Sequence, residues 1–479
     1  MAAENPIISL LEDIAGAQHV ITSAEDQAPH LTDWRGHYTG TALAVVKPAS
    51  TAEVSRILAL AHEQSIPVVP QGGNTGLCGG ATPDQSGKAI ILSLSRMNTI
   101  RHLDTMSRTI TVEAGCILEN IQQAAEAEDL LFPLNFGSRG TCQIGGNLST
   151  NAGGLNVVRY GNTRSLCLGL EVVAADGRVM NLLSPLKKDN TGYDLKNLFI
   201  GAEGTLGIIT AAVMQLFPKP HAVATAFAGL RDINAAISLL NACQAASGGN
   251  VVTFELMPKS IIDNVTTHYP DVTPPLEDVP MFSALIEIAS TAEADAQPAA
   301  DGQMPLNKII EDVLADAFQE GLVSDATIAA NGNQRAALWA IRELTPESEI
   351  KAGTAYKSDI SIPLEHMSAF YHRAADAARA IAPGVRIFGF GHIGDGNLHY
   401  NLCIPKDGHD DFTALYPEFD AMMLGLIAEY GGSISAEHGI GQKKRDMLKE
   451  IKDETALDMM RMIKTALDPK GIMNPGKVI

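Results

Sequence analysis

Val68-Val69-Pro70-Gln71-Gly72-Gly73-Asn74-Thr75-Gly76-Leu77 is the stretch on which the reading of this chain turns. A β-branched pair runs into a loop whose glycines can adopt positive φ. Such a loop lets backbone N–H groups approach an anion closely, which is how a diphosphate is cradled. Taken alone, the stretch reads equally well as a plain turn. Two further loops change the balance: Gly145-Gly146-Asn147-Leu148-Ser149-Thr150-Asn151-Ala152-Gly153-Gly154 and Gly201-Ala202-Glu203-Gly204-Thr205-Leu206-Gly207. Three glycine-rich loops in one half of the chain suit a large dinucleotide with many polar atoms.

Around these loops, short strand-like runs (Ala42–Val46, Ile90–Leu94, Thr109–Val112, Leu170–Ala174) alternate with helical patterns at Thr51–Gln64 and Leu118–Glu128. Ser50 stands as N-cap of the first helix. Residues 1–218 therefore read as an α+β domain with several short-stranded sheets. From 219 the texture changes: a helix over Asp232–Gln244, a strand over Asn250–Leu256, a polar loop over Thr291–Met304 and a long helix over Leu364–Ala382. We expect residues 219–425 to form a second domain and 426–479 a helical C-terminal segment that completes the site.

Length and composition bound the function. With 479 residues, 46% hydrophobic and 19% charged, the chain can bury more than one core. A net charge of -20 repels phosphate backbones and anionic lipid, so nucleic-acid and membrane-surface roles are disfavoured. No run of about 18 apolar residues suggests a membrane span. The start, MAAENPIISLLEDIAG, reads as a short helix and not as a signal peptide. The six cysteines form no CxxC pair, which suggests reduced thiols and a cytoplasmic protein.

The one GxGxxG string, Gly389 to Gly394, is not a nucleotide fingerprint. It opens into Leu398-His399-Tyr400-Asn401-Leu402, which alternates as a strand, whereas a fingerprint must open a helix. Asp395-Gly396 instead signals a two-residue hairpin turn. That turn sets His392 directly opposite His399, with Cβ atoms roughly 5 Å apart and Asn401 on the same face. Two imidazoles so placed can share a divalent ion such as Zn²⁺, or simply make ordinary cross-strand hydrogen bonds. Glu437-His438, between flanking small residues, offers a carboxylate ligand that sequence alone cannot bring to the hairpin.

These strings, with PQGGNTGLCGGA (70–81), CQIGGNLSTNAGGLNVVRYGNTR (142–164), KDNTGYDLKNLFIGAEGTLGIIT (188–210), GHIGDGNLHYN (391–401), SAEHGIGQKKR (435–445) and NPGKVI (474–479), carry a family resemblance. The chain resembles the FAD-linked oxidoreductases of the vanillyl-alcohol oxidase / p-cresol methylhydroxylase superfamily, in the branch that oxidises D-2-hydroxy acids. The resemblance implies an α+β fold: a two-subdomain FAD domain, an antiparallel-sheet substrate domain and a helical C-terminal segment. It implies that Pro70, Gln71, Gly72, Gly73, Asn74, Thr75, Gly76, Leu77 and Gly80 hold the FAD diphosphate. Gly137, Ser138, Cys142, Gly145, Gly146, Asn147, Ser149, Thr150, Asn151 and Gly153 continue the flavin site. Glu203, Gly204, Gly207, Ile208, Ile209, Glu437 and Asn474 complete it. Covalent relatives carry a histidine in the first loop; Gly73-Asn74 stands there, so dissociable FAD is expected.

By the same resemblance, His392, His399 and Glu437 bind zinc or another divalent metal, and His438 is the general base. Arg342 clamps the substrate's C1 carboxylate, Lys357 is a second substrate contact, and Asn401 lines the site. Lys357, Asp359 and Ser361 are expected on one polar strand face. Relatives acting on D-2-hydroxyglutarate carry a threonine four residues after the arginine; Pro346 stands there, with Thr345 one step earlier. D-2-hydroxyglutarate is the first expectation, with D-lactate, D-malate or an oxygen-using oxidase as alternatives. A non-enzymatic flavin or metal module has no need of the base and the arginine, and a nicotinamide enzyme lacks its fingerprint. The resemblance further suggests a soluble electron acceptor such as an electron-transfer flavoprotein, and it is compatible with a homodimer.

Overall fold

The computed structural model describes residues 5–405 and 412–479. It contains two compact units. The first comprises Met1–Gly154, Gly161–Pro218 and Glu437–Ile479, and the second comprises Leu155–Tyr160 and Lys219–Ala436. The opening helix spans Pro6–Ala15, and the first four residues of the stretch read as helical lie outside the described residues.

In the first unit, a four-stranded sheet has the order Val20–Ile21, Ala44–Val46, Ile90–Ser93, Val68–Gln71. The first pair is antiparallel and the other two are parallel. Helix Thr51–Gln64 connects two of its strands. The Ser50 hydroxyl accepts the N–H of Glu53, satisfying one of the donors that a helix start leaves open. A five-stranded antiparallel sheet follows, in the order Ile100–Asp104, Thr109–Glu113, Gly207–Gln215, Cys167–Ala174, Val179–Leu182. The C-terminal segment returns to this unit. Val68 N–H donates to the Ile472 carbonyl at 2.8 Å and Asn474 N–H to the Val68 carbonyl at 2.8 Å. The strand that leads into the first glycine loop is thereby tied to the last residues of the chain.

The second unit holds two antiparallel sheets. One has the order Val251–Pro258, Phe282–Ser290, Ala222–Leu230, Val323–Ile328. Its inner strands are buried along nearly their whole length, so their sequences are continuous apolar runs and not alternating ones. The other sheet is built on Asn397–Pro405, flanked by Gly353–Tyr356 and Asp359–Ser361 on one edge and Arg386–Phe390 on the other. Phe227, Met257, Leu285, Trp339 and Phe388 form a shared core between the sheets and the helix Gly332–Ala352. All six cysteines are buried thiols, and no described helix is long and apolar enough to cross a membrane.

The expected two-residue turn at Asp395-Gly396 is not formed. The strand stops at Phe390, whose register partner is His399, so His392 lies outside the ladder. A 3₁₀ turn covers Ile393–Asp395 and Gly396 takes φ +82°. The cause is tertiary: Gly391 leaves the ribbon to exchange both backbone hydrogen bonds with Leu256, at 2.8 and 3.2 Å. Two strand-type bonds to a neighbouring sheet outweigh a local turn preference.

Helix Gly332–Ala352 is pinned to the first sheet by Glu287. This carboxylate accepts from Arg335 Nε and NH2 (2.8 and 2.9 Å), Trp339 Nε1 (2.9 Å) and Thr225 Oγ1 (2.8 Å). Removing the acceptor strands a buried indole N–H, a defect that costs about 1–3 kcal/mol. Glu287→Ala is therefore expected to lower the unfolding free energy by an amount in that range, read as a lower urea midpoint at unchanged slope. An unchanged midpoint would show that the helix is held by apolar packing alone.

Candidate active site

The first unit gathers the three glycine loops. A Cβ on Gly73 would lie 2.2 Å from the Thr141 carbonyl oxygen, and one on Gly204 (φ +71°) would lie 2.2 Å from Pro70 Cγ. Backbones this close leave no room for a side chain, which accounts for glycine at both places. Gly76, Gly137 and Gly146, by contrast, face open space. Gln143 Oε1, Asn147 Oδ1 and Asn474 Oδ1 are buried acceptors without a hydrogen-bond partner among the described residues. Buried polar atoms are rarely left so. An open glycine-lined cleft edged by orphaned acceptors fits a ligand with many N–H and O–H donors, as FAD is.

Several residues expected at the flavin serve the frame of this cleft. Gln71 Nε2 donates to the carbonyls of His30 and Ala81 at 2.9 and 3.1 Å. The Ser149 and Thr150 hydroxyls donate to the carbonyls of Gly145 and Gly146. Asn151 (φ +50°) accepts from Arg164 N–H. Ile208 and Ile209 lie buried in the strand Gly207–Gln215, and the Cys142 thiol is buried with its pKa pushed up by desolvation. Asn74 takes φ +52° and ties its amide to the Thr32 carbonyl at 2.9 Å.

Glu203 closes the frame. Its carboxylate accepts the N–H groups of Ile440 (2.7 Å) and Gly441 (2.8 Å). Asn474 Nδ2 in turn donates to the carbonyls of Glu203 (2.7 Å) and Gly80 (2.9 Å). The loop bearing Glu437 and His438 is thus fastened to the first and third glycine loops. Glu437 accepts the N–H of Gly154, and a Cβ on Gly153 would meet its carboxylate at 2.5 Å. Both Glu437 and His438 are half-buried.

The second unit gathers the remaining candidates at one end of its sheets. His392 and His399 come together despite the altered register, with ring centroids 5.5 Å apart. Each candidate side chain here lies beside a buried carboxylate, and two of the three, Glu255 and Glu349, were not singled out in the sequence. Glu255, fully buried, accepts from His392 Nδ1 with one oxygen and from Arg342 Nε with the other. Burial pushes the Glu255 pKa up, but His392 and Arg342 outweigh it and hold it at about 2. Glu349 accepts from Lys357 Nζ at 2.7 Å and Asn401 Nδ2 at 2.8 Å. Asp359 accepts from Asn397 Nδ2 at 3.0 Å and lies 3.8 Å from His399 Nδ1.

The expected polar face of Lys357, Asp359 and Ser361 is corrected accordingly. The strand is interrupted at Lys357-Ser358, where Ser358 N–H and hydroxyl bond to Asn401 Oδ1 and the Tyr400 carbonyl. Asp359 is 1% exposed. Thr345 is buried and its hydroxyl is taken by the Ile341 carbonyl at 2.8 Å. The one sequence signal that could have found Glu255, Glu287 and Glu349 is an acidic residue inside an otherwise apolar strand or helix face.

Around the candidate side chains of this unit, the ion pairs set three carboxylates, Glu255, Glu349 and Asp359, against two permanent cations, Arg342 and Lys357. With neutral imidazoles they carry excess negative charge, which suits a bound cation and disfavours an unaided anion. Paired imidazoles with carboxylates behind them are a donor set that fits zinc.

Comparison with known proteins agrees with this layout. Residues 42–183 match the family described as "FAD binding domain". Residues 219–478, more than half of the chain, match "FAD linked oxidases, C-terminal domain". The mitochondrial D-2-hydroxyglutarate dehydrogenase of Bos taurus is 39% identical over 100% of this chain and 84% of its own length. That of Danio rerio is 40% identical over 93% and 80%. A D-2-hydroxyglutarate dehydrogenase of Xanthomonas citri is 34% identical over 99% and 97%. Among solved structures, p-cresol methylhydroxylase with substrate bound superposes with a TM-score of 0.76 at 16% identity, covering 99% of this chain and 96% of that one. Alkyldihydroxyacetonephosphate synthase gives 0.71 at 17% identity, covering 98% and 85%; both likenesses speak to the fold. With glycine loops shaped for FAD in one unit and full-length relatives above 30% identity, the chain belongs to the FAD-linked oxidase family and is an FAD-dependent oxidoreductase.

Proposed function

We propose that the chain is a D-2-hydroxyacid dehydrogenase, with D-2-hydroxyglutarate as preferred substrate. The reading rests on one observation above the others: in the second unit His392, packed edge-on against His399, and Arg342 share one buried carboxylate, Glu255. A metal-ready pair beside a carboxylate-binding arginine suits a 2-hydroxy acid, whose hydroxyl and C1 carboxylate are on adjacent carbons. The names of the full-length relatives support the choice of substrate.

When bound, FAD supplies the hydride acceptor at N5, and a divalent cation held by His392, His399 and Glu437 supplies a Lewis acid for the hydroxyl oxygen. His438 takes the hydroxyl proton, a task suited to a group that titrates near neutrality. Arg342 grips the C1 carboxylate and thereby orients C2–H. Asn401 lines the site, and Lys357 meets the distal carboxylate. The proposed terminal acceptor is a soluble partner such as an electron-transfer flavoprotein.

Non-covalent FAD is part of the proposal, because Gly73 has no room for a histidine side chain. Acid precipitation of the yellow protein should leave free FAD in the supernatant; colour retained on the pellet contradicts this. Anaerobic D-2-hydroxyglutarate should bleach the flavin while the L-enantiomer does not, and Arg342→Ala should raise the concentration needed by about 100-fold. If no D-2-hydroxy acid bleaches it, the enzyme is not of this class. His392→Ala should lose the metal and most turnover yet keep its FAD. A zinc-replete H392A would remove that histidine from the metal site.

A further inference from the structure

Among the described residues, the Glu255 carboxylate hydrogen-bonds both a proposed metal ligand and the proposed substrate clamp. It stands on the strand Val251–Pro258, next to Leu256, which exchanges both backbone hydrogen bonds with Gly391. That exchange fixes the backbone immediately before His392 relative to the strand that carries Glu255. The geometry therefore does not depend on the mobility of a long side chain.

Each carboxylate oxygen has a distinct partner. One takes the N–H at His392 Nδ1, which leaves the imidazole lone pair on Nε2, the neutral tautomer that ligates through Nε2. The other takes Arg342 Nε. The guanidinium also lies over the Phe390 ring, 5.1 Å from its centroid. With Nε occupied and one face covered, the planar guanidinium is set in one orientation and its terminal NH2 edge remains the edge for a bidentate carboxylate.

We propose that Glu255 is the positioning residue of this enzyme: it holds His392 in its ligating tautomer and Arg342 in its clamping orientation, and so couples cation binding to capture of the substrate carboxylate. The proposal rests on the reading of the site given above. Because both duties pass through one side chain, they are lost together, and by linkage what tightens one bears on the other.

The test uses the full-length FAD-loaded protein with Glu255→Gln, which keeps shape but cannot accept from both partners with a full charge. Zinc affinity is measured by competition with a chromophoric chelator, with FAD content and Tm followed in parallel. E255Q should bind zinc about 10–100-fold more weakly. At saturating zinc its kcat should recover while KM for D-2-hydroxyglutarate stays raised by at least tenfold, a split that a general loss of stability does not produce. Wild-type zinc affinity and KM in E255Q, alongside an H392A that loses zinc, would overturn the role of Glu255 and leave the site reading intact. An H392A that keeps zinc would instead sink the site reading itself. Should E255Q fail to fold, Glu255→Asp keeps the charge but shortens the reach by one carbon; weaker zinc binding together with a raised KM supports the proposal, and wild-type values overturn it.

Discussion

A carboxylate taken out of water must be matched by donors, and in the second unit that constraint fixes the side chains of the candidate site. Glu255, Glu287, Glu349 and Asp359 are all buried in the second unit; each of the three glutamates collects two or more side-chain donors, and Asp359 accepts from Asn397 with His399 3.8 Å away. Three of the four collect residues that the chemistry needs. The penalty for misplacing any of these donors is the full cost of an unmatched buried charge, so the donors are held far more sharply than surface groups would be. Rigidity at the site and the stability of the unit thus come from the same bonds.

The first unit solves a related problem with backbone. Glu203 is buried and its pKa is raised by desolvation against the pull of the Ile440 and Gly441 N–H groups. Its partners are amides from a segment more than 200 residues away in sequence, so the flavin loops and the Glu437-His438 loop are set relative to each other by hydrogen bonds that have few alternatives. Asn474 adds two more from the last residues of the chain. The C-terminal return is therefore part of the frame of the cleft.

What the sequence revealed and what it hid follow from range. Ser50 at a helix start and the strand entering the first loop were legible because each is a local requirement, and the glycines at 73 and 204 because clustered glycines announce a close approach even without naming the partner. The histidine pair was found for a partly mistaken reason: the Asp395-Gly396 turn gives way to a 3₁₀ turn because Gly391 bonds to Leu256, 135 positions earlier in the chain. No local preference encodes that bond. The carboxylates behind the site were missed for the same reason, since an acidic residue in an apolar run declares its burial but not its partner.

Substrate choice turns on the far end of the acid. Pro346 has a hydrocarbon side chain and no N–H, so it can neither bond to a carboxylate nor donate to the Arg342 carbonyl one turn earlier. Thr345, beside it, is buried and has given its hydroxyl to Ile341. On the proposed reading the cation for a distal carboxylate is Lys357, already paired with Glu349 at 2.7 Å, with Asn401 on the other oxygen of the same carboxylate. A dicarboxylate bound that way would share Lys357 with Glu349, whereas a monocarboxylate would leave that pair intact. Discrimination between the two would then be a contest for one ammonium group, with Asn401 helping to keep Glu349 in place.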